Sequence, residues 1–487
     1  MRRGMSLAMA GVLALAVAPS AQTDALKAAT DALGAANIKT LQYTGSGANF
    51  SVGQNFTPGE PWPRVTVKNY TASINYDTGS MRQELLREMG ATMPRGGGAP
   101  FTGEQRQVQV VSGNYAWNMA PAQAGGAPQA APAAANAVDR MLALWATPQG
   151  FVKAAMANNA TTKKAKGGTE VSFVVGGKYK MTGLINAQNQ VERVQTWVDQ
   201  PIVGDMLVET VYSDYKDFGG VRFPSHIVQT QDGYPALDLT VSSVTANPAV
   251  DITVPENVRT AQPAPVRVES AKLADGVFYL TGGSHHSLAV EMKDHIVLVD
   301  TPQTEQRALA VIAKAKEVIP NKPIRYIVTS HHHWDHLGGI RAAIDEGATI
   351  VTHQSNKAFI ERVAKTPHTI NPDRLAASKK ALKIQTVGAK GILTDGTRTI
   401  ELHLLTNYEH TGDMLVVYLP KEKILAEPDA FTAPATPTTA LVATAVPYAA
   451  ALYDNIQRLK LDVQTIAPFH GARTSTVAEL AKLAGRG

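Results

Sequence analysis

His331-His332-His333-Trp334-Asp335-His336 is the stretch on which the reading of this chain turns. Its His-x-His-x-Asp-His spacing gathers imidazole nitrogens and a carboxylate, the donors that zinc takes at neutral pH, in numbers enough for two neighbouring ions. The run follows Ile324-Arg325-Tyr326-Ile327-Val328-Thr329-Ser330, which reads as a buried strand, and precedes Leu337-Gly338-Gly339-Ile340, where small residues let a helix start close to a sheet. The motif therefore sits in a tight turn between strand and helix. A histidine-rich tract alone can also be a loose metal-binding sequence without catalysis, so the rest of the ligand set decides.

That set lies downstream, each member at the end of an apolar run. His410-Thr411-Gly412-Asp413 falls between the expected strands Ile400 to Leu405 and Met414 to Leu419. Asp429 follows the short run Ile424 to Glu427, and His470 follows Thr465 to Pro468. Upstream, Asp300 ends the run His295 to Val299. Further strands are expected at Val277 to Thr281, Ser287 to Met292 and Thr349 to His353, and helices at Glu305 to Ile319, Gly339 to Glu346 and Pro447 to Lys460.

This constellation, over roughly residues 266–487, resembles the metallo-β-lactamase-fold superfamily. The resemblance implies an α+β, αββα sandwich with its metals at one edge of two packed sheets. It implies that His331, His333 and His410 hold a first metal, that Asp335, His336 and His470 hold a second, and that Asp429 bridges the two. Asp300 would support the loops by hydrogen bonding from behind the ligands. His332 falls at a variable position and is not expected to be a ligand. The implied cofactors are two divalent ions, expected to be Zn2+, which share a hydroxide and polarise the electrophile. Asp335 would orient that hydroxide and carry its proton to the leaving group.

Other residues carry weaker expectations. His285 and His286, in a Gly-Gly-Ser loop, and Tyr408, two residues before His410, are candidates to touch substrate, against a plain structural or solvated role. His353 reads as either a floor to the cleft or a core histidine. The basic stretch Phe359 to Lys390 reads as a lid over the site or as a solvated face.

The absence of cysteine removes the zinc β-lactamases that use a cysteine ligand. A bridging carboxylate at Asp429 looks instead like glyoxalase-II-type thioesterases, lactonases and phosphodiesterases. The first expectation is hydrolysis of a carboxylic ester or lactone, a small-molecule substrate. β-Lactam hydrolysis is the alternative, and a one-iron dioxygenase a further one.

With 487 residues the chain has room for more than this domain. Arg2 and Arg3, the apolar stretch Met5 to Ala18 and small residues up to Ala21 have the layout of a secretory signal peptide, so residues 1–21 are expected to be removed and the protein to be periplasmic or secreted. Losing the two arginines takes the formal charge from +5 to +3, which gives little support to nucleic-acid binding. No apolar run is long enough for a membrane-spanning helix. Residues 22–260 read as a mainly antiparallel β domain, with alternating segments at Val65 to Tyr70, Gln107 to Val111, Val171 to Val175 and Val191 to Val198. Met93 to Gly103 and Ala120 to Ala137, rich in Gly, Pro and Ala, read as flexible loops. Tyr215 to Pro224 followed by Leu237 to Val244 resembles the half-barrel of periplasmic lipoprotein-carrier proteins, which implies either an accessory sheet or a surface for an apolar ligand. On the carrier alternative the metal domain would serve structure alone. Ala261-Gln262-Pro263-Ala264-Pro265 is the expected linker to the second domain, residues 266–487.

Overall fold

The computed structural model describes residues 20–90, 94–98, 100–120, 127–438 and 440–486. The expected leader falls outside these except for Ser20 and Ala21, which open the helix Ser20–Ala32. Among the described residues, no helix is long and apolar enough to cross a membrane.

Alternation in the first half builds one antiparallel sheet of 13 strands. In Thr40–Phe50, Leu41 and Tyr43 are buried while their neighbours are not, the period of a strand with one covered face. This first strand pairs with the last of the domain, Tyr234–Ala246, in a register that sets Leu41 opposite Ala246. Two up-and-down runs of strands are thereby joined at the middle of the sheet. Helices Ala137–Ala146 and Pro148–Ala157 bury Leu142, Leu144, Phe151 and Val152 against its inner face. Between the first of these helices and the strands lies a cavity of about 90 Å³, lined by Leu142, Val194, Val198 and Met206 among others. It is smaller than the roughly 150 Å³ void that accepts one benzene, so as it stands it has no room for an acyl chain. The stretch Ala120 to Ala137 is not all loop: it contributes the edge strand Gln129–Pro132 and enters a helix at Ala137.

The second half is an αββα sandwich. A sheet of 7 strands runs from Glu269–Ala274 to Lys383–Val387, and a sheet of 5 strands from Lys390–Thr394 to Thr465–Pro468. Strands such as Ile296–Val299 and Leu415–Leu419 are buried at every position, which is why they read as unbroken apolar runs. Val297, Val299 and Val328 of one sheet meet Leu402, Leu415 and Val417 of the other. Helix Glu305–Val318 covers the outside of the first sheet, and Pro447–Leu459 that of the second. At the start of helix Ile340–Glu346, a Cβ on Gly338 would lie 1.9 Å from the Gln303 carbonyl oxygen, and this close approach is what the paired glycines permit.

Phe359 to Lys390 is not a lid. It forms the helices Lys357–Val363 and Arg374–Ser378 and the edge strand Lys383–Val387. Its loop is pinned to the first domain, where Asp205 accepts from the backbone N–H of Thr369 at 2.9 Å and of Ile370 at 3.0 Å. Phe359, Ile360 and Val363 belong to the same apolar cluster as the core of the large sheet, so the two domains pack as one body.

Candidate metal centre

The ligands expected from the sequence converge at one edge of the sandwich. Asp300 ends its strand at φ 57°, a left-handed conformation that Asp tolerates better than most residues. From there its carboxylate accepts from the Ser330 N–H at 2.7 Å, the Ser330 hydroxyl at 2.7 Å and His336 Nδ1 at 2.9 Å. It thus ties the motif turn to the neighbouring strand and faces His336 from behind.

His331, His333, His410 and Asp429 form one group whose donor atoms all lie within 4.8 Å of one another, and His285, Asp335, His336 and His470 form another. Asp429 reaches both groups. Its Oδ2 is 3.1 Å from His331 Nε2, 3.0 Å from His410 Nε2 and 3.2 Å from His336 Nε2, while its Oδ1 is 2.7 Å from His470 Nε2. His333 Nδ1 lies 3.0 Å from His410 Nε2, and His336 Nε2 lies 3.1 Å from His470 Nε2.

These residues fit divalent ions. Donors bound tetrahedrally at about 2.0–2.1 Å stand about 3.3 Å apart, close to the spacing seen here. The buried Nε2 of His331 faces Asp429 Oδ2 at 3.1 Å without the alignment of a hydrogen bond, the relation of two donors to one ion. Behind the ligands, the opposite ring nitrogens are satisfied: His331 Nδ1 by Ser330 Oγ at 3.0 Å, His333 Nε2 by the Asn55 carbonyl at 2.9 Å and His410 Nδ1 by the Gly97 carbonyl at 2.6 Å. This fixes ring orientation and tautomer as metal-ligating histidines require.

Protonation leans the same way. Burial, then the neighbouring His410 and His331 rings, push His333 well below the usual imidazole range. Burial alone would raise Asp429, but the surrounding imidazoles of His336 and His410 outweigh it and keep the carboxylate ionised. His336 departs from this pattern: burial opposes its charge, yet the carboxylates of Asp429 and Asp300 outweigh it and raise the ring above the usual imidazole range.

Gln54, Asn55 and Gly97 belong to the first domain, and sequence reading misses all three. Gln54 Nε2 donates to Asp335 Oδ1 at 2.8 Å, and Asn55 Oδ1 accepts from His332 Nε2 at 3.1 Å. Gly97, in a stretch that reads as flexible loop, is tied down instead: its N–H donates to the Gln54 carbonyl, and the Gly96 N–H to that of Glu409, both at 2.7 Å. Gly53, with φ 74°, lies flat on Trp334, where any Cβ would meet the indole at 2.4 Å.

The weaker candidates separate. His285 turns to the donor cluster, its Nε2 3.2 Å from Asp335 Oδ2. His286 turns away into the core, donating to the Gly471 carbonyl at 2.8 Å and packing edge-on against Tyr279. Tyr408 is buried between His410 and Tyr448 with its hydroxyl unpaired, so it is not displayed in an open cleft. His332 bridges Asp413 and Asn55 and stays outside both donor groups. His353 caps the turn Gln354–Asn356 through Ser355.

Residues 280–470 match the model of the metallo-beta-lactamase superfamily, and the C-terminal domain carries that superfamily's fold. Similar solved structures include a metallo-beta-lactamase from Pontibacter korlensis, 22% identical over 45% of this chain and 98% of that one, with a TM-score of 0.35. Another is a metallo-beta-lactamase from Hirschia baltica, 25% identical over 45% of this chain and 98% of that one, with a TM-score of 0.33. No curated protein matches the sequence.

Proposed function

We propose that the chain is an exported binuclear metal hydrolase that cleaves a carboxylic ester or lactone. The observation that carries the proposal is Asp429, whose two oxygens face His331, His410 and His336 on one side and His470 on the other. A carboxylate so placed joins two ion sites into one reaction centre. Two divalent ions there, with zinc suited to imidazole and carboxylate donors, supply a nucleophile from water at neutral pH and an electrophilic pull on the carbonyl.

The protein supplies the rest. Burial would raise the Asp335 carboxyl, but its contacts with His285 and the nearby His336 more than offset this and hold it well below the usual carboxylate range. Held ionised, it accepts the O–H of the attacking water at Oδ1, the oxygen steadied by Gln54, and its position, not a raised basicity, suits it to relay the proton to the leaving oxygen. The arginines flanking the centre are engaged elsewhere. Arg95 lies over the Phe56 ring and pairs with Glu409, Arg307 serves the carbonyls of Arg267, Thr281 and His285, and Arg473 pairs with Glu479. A neutral ester or lactone needs no cation beyond the ions themselves, and it is the substrate class we favour.

The test is turnover of aryl esters, lactones, thioesters, phosphodiesters and a chromogenic cephalosporin by zinc-loaded full-length protein, with Asp335→Ala as the blank. Ester or lactone turnover that the blank lacks is the expected result. Equal rates in both proteins, or turnover confined to the phosphodiester or cephalosporin, would overturn the assignment.

A further inference from the structure

We infer that His285 is a protein ligand to the second metal, giving that ion three imidazoles beside its carboxylates. The inference rests on the metal reading above and adds a donor to it. His285 Nε2 lies among the donor atoms of Asp335, His336 and His470, all within 4.8 Å of one another. Its ring stands edge-on to His470 with centroids 4.2 Å apart and to His336 at 5.0 Å, filling the open side of that pair.

Two features separate a ligand from a residue that merely hydrogen-bonds Asp335. The first is distance: His285 Nε2 is 3.2 Å from Asp335 Oδ2, longer than the roughly 2.7–2.9 Å of a charge-assisted N–H···O bond. That spacing is close to the roughly 3.3 Å edge between two donors on one tetrahedral ion. The second is the far side of the ring. His285 Nδ1 is 2.9 Å from Ser284 Oγ, and that hydroxyl also accepts from Gln303 Nε2 at 3.0 Å. With Nδ1–H donating to Ser284, Nε2 carries a free lone pair toward the centre. His331, His333, His336 and His410 show the same arrangement, an oxygen acceptor behind and a nitrogen in front. His286, one residue on, also has one nitrogen on a carbonyl and the other unpaired, but it lies in neither donor group, so position and not tautomer separates the two.

The test is cobalt binding to the full chain, read by metal content after dialysis, by competition with a chromophoric chelator and by the visible spectrum of bound Co2+. The wild type should bind two ions. His285→Ala should retain the first and lose affinity for the second by more than about 100-fold, beyond the 10- to 100-fold expected of a residue behind the ligands, with a changed Co2+ spectrum. Free imidazole should restore the second ion in His285→Gly, and His285→Asn serves if the alanine variant does not fold. Unchanged second-ion affinity and spectrum in a folded variant would overturn the inference and leave the binuclear reading standing. Failure of the wild type to bind two ions would overturn both.

Discussion

Replacing Asn55 by alanine tests whether the first domain builds the metal centre of the second. Asn55 is only 4% exposed. Its Oδ1 accepts from His332 Nε2 at 3.1 Å, and its Nδ2 donates to the Glu60 carbonyl at 3.0 Å. Alanine leaves both partners unsatisfied at about 1–3 kcal/mol each, or about 2–6 kcal/mol together where no water replaces the amide. At roughly 1 °C per kcal/mol for a chain of this length, the melting temperature should fall by about 2–6 °C. His332 lies between two first-metal ligands, so its release should also cost the first ion about 10- to 100-fold in affinity, or about 1.4–2.8 kcal/mol. Thermal melts with and without chelator, together with chelator competition, read the two effects separately. A melting temperature within about 1 °C of wild type and an unchanged first-ion affinity would refute the reasoning.

Asp335→Ala should lower turnover by about 10²- to 10⁴-fold, the span of a positioned proton carrier, with far-UV circular dichroism unchanged. Asp429→Ala should lower metal content as well as rate, because it removes the atom pair that faces both donor groups; two ions retained at full affinity would count against the bridging role. Stripping metal should lower the melting temperature, since an ion at 1,000 times its Kd contributes about 4 kcal/mol, and dialysis against zinc should restore it. The buried pair of Arg341 and Asp373, joined by an Nη2 to Oδ1 bond of 3.0 Å, sets an acid limit. Burial alone would raise Asp373, but the Arg341 hydrogen bonds outweigh it and depress its folded pKa. The stabilisation is thus fully present above the unfolded value near pH 4 and is lost as pH falls through the lower folded value. Arg341→Ala should cost about 3–5 kcal/mol at neutral pH, measured by urea unfolding, and should flatten this acid dependence.

The strands of the αββα half were legible because local chemistry marks them. Strands buried on both faces read as unbroken apolar runs, and the expected ligands stand at their ends. The edge strands Glu269–Ala274, Lys383–Val387 and Lys390–Thr394 were not seen, because half-exposed strands with lysines lack that signal. The paired histidines at 285 and 286 were equally anonymous. Nothing local says which of two adjacent side chains faces the metals and which the core.

The sequence alone determined the apolar strands and the spacing of the motif histidines, since both depend on neighbours a few residues apart, while the sandwich followed from the resemblance those residues carry. Only the tertiary structure decided that the first domain reaches into the centre. Gln54 and Asp335 are 281 residues apart and Gly97 and His410 are 313 apart, and two of the three contacts behind ligands are made by backbone carbonyls, which every residue carries. A carbonyl has no side-chain signature, so its role appears only when the pairing of Leu41 with Ala246 and the packing of Gly53 on Trp334 bring the loop to the metals.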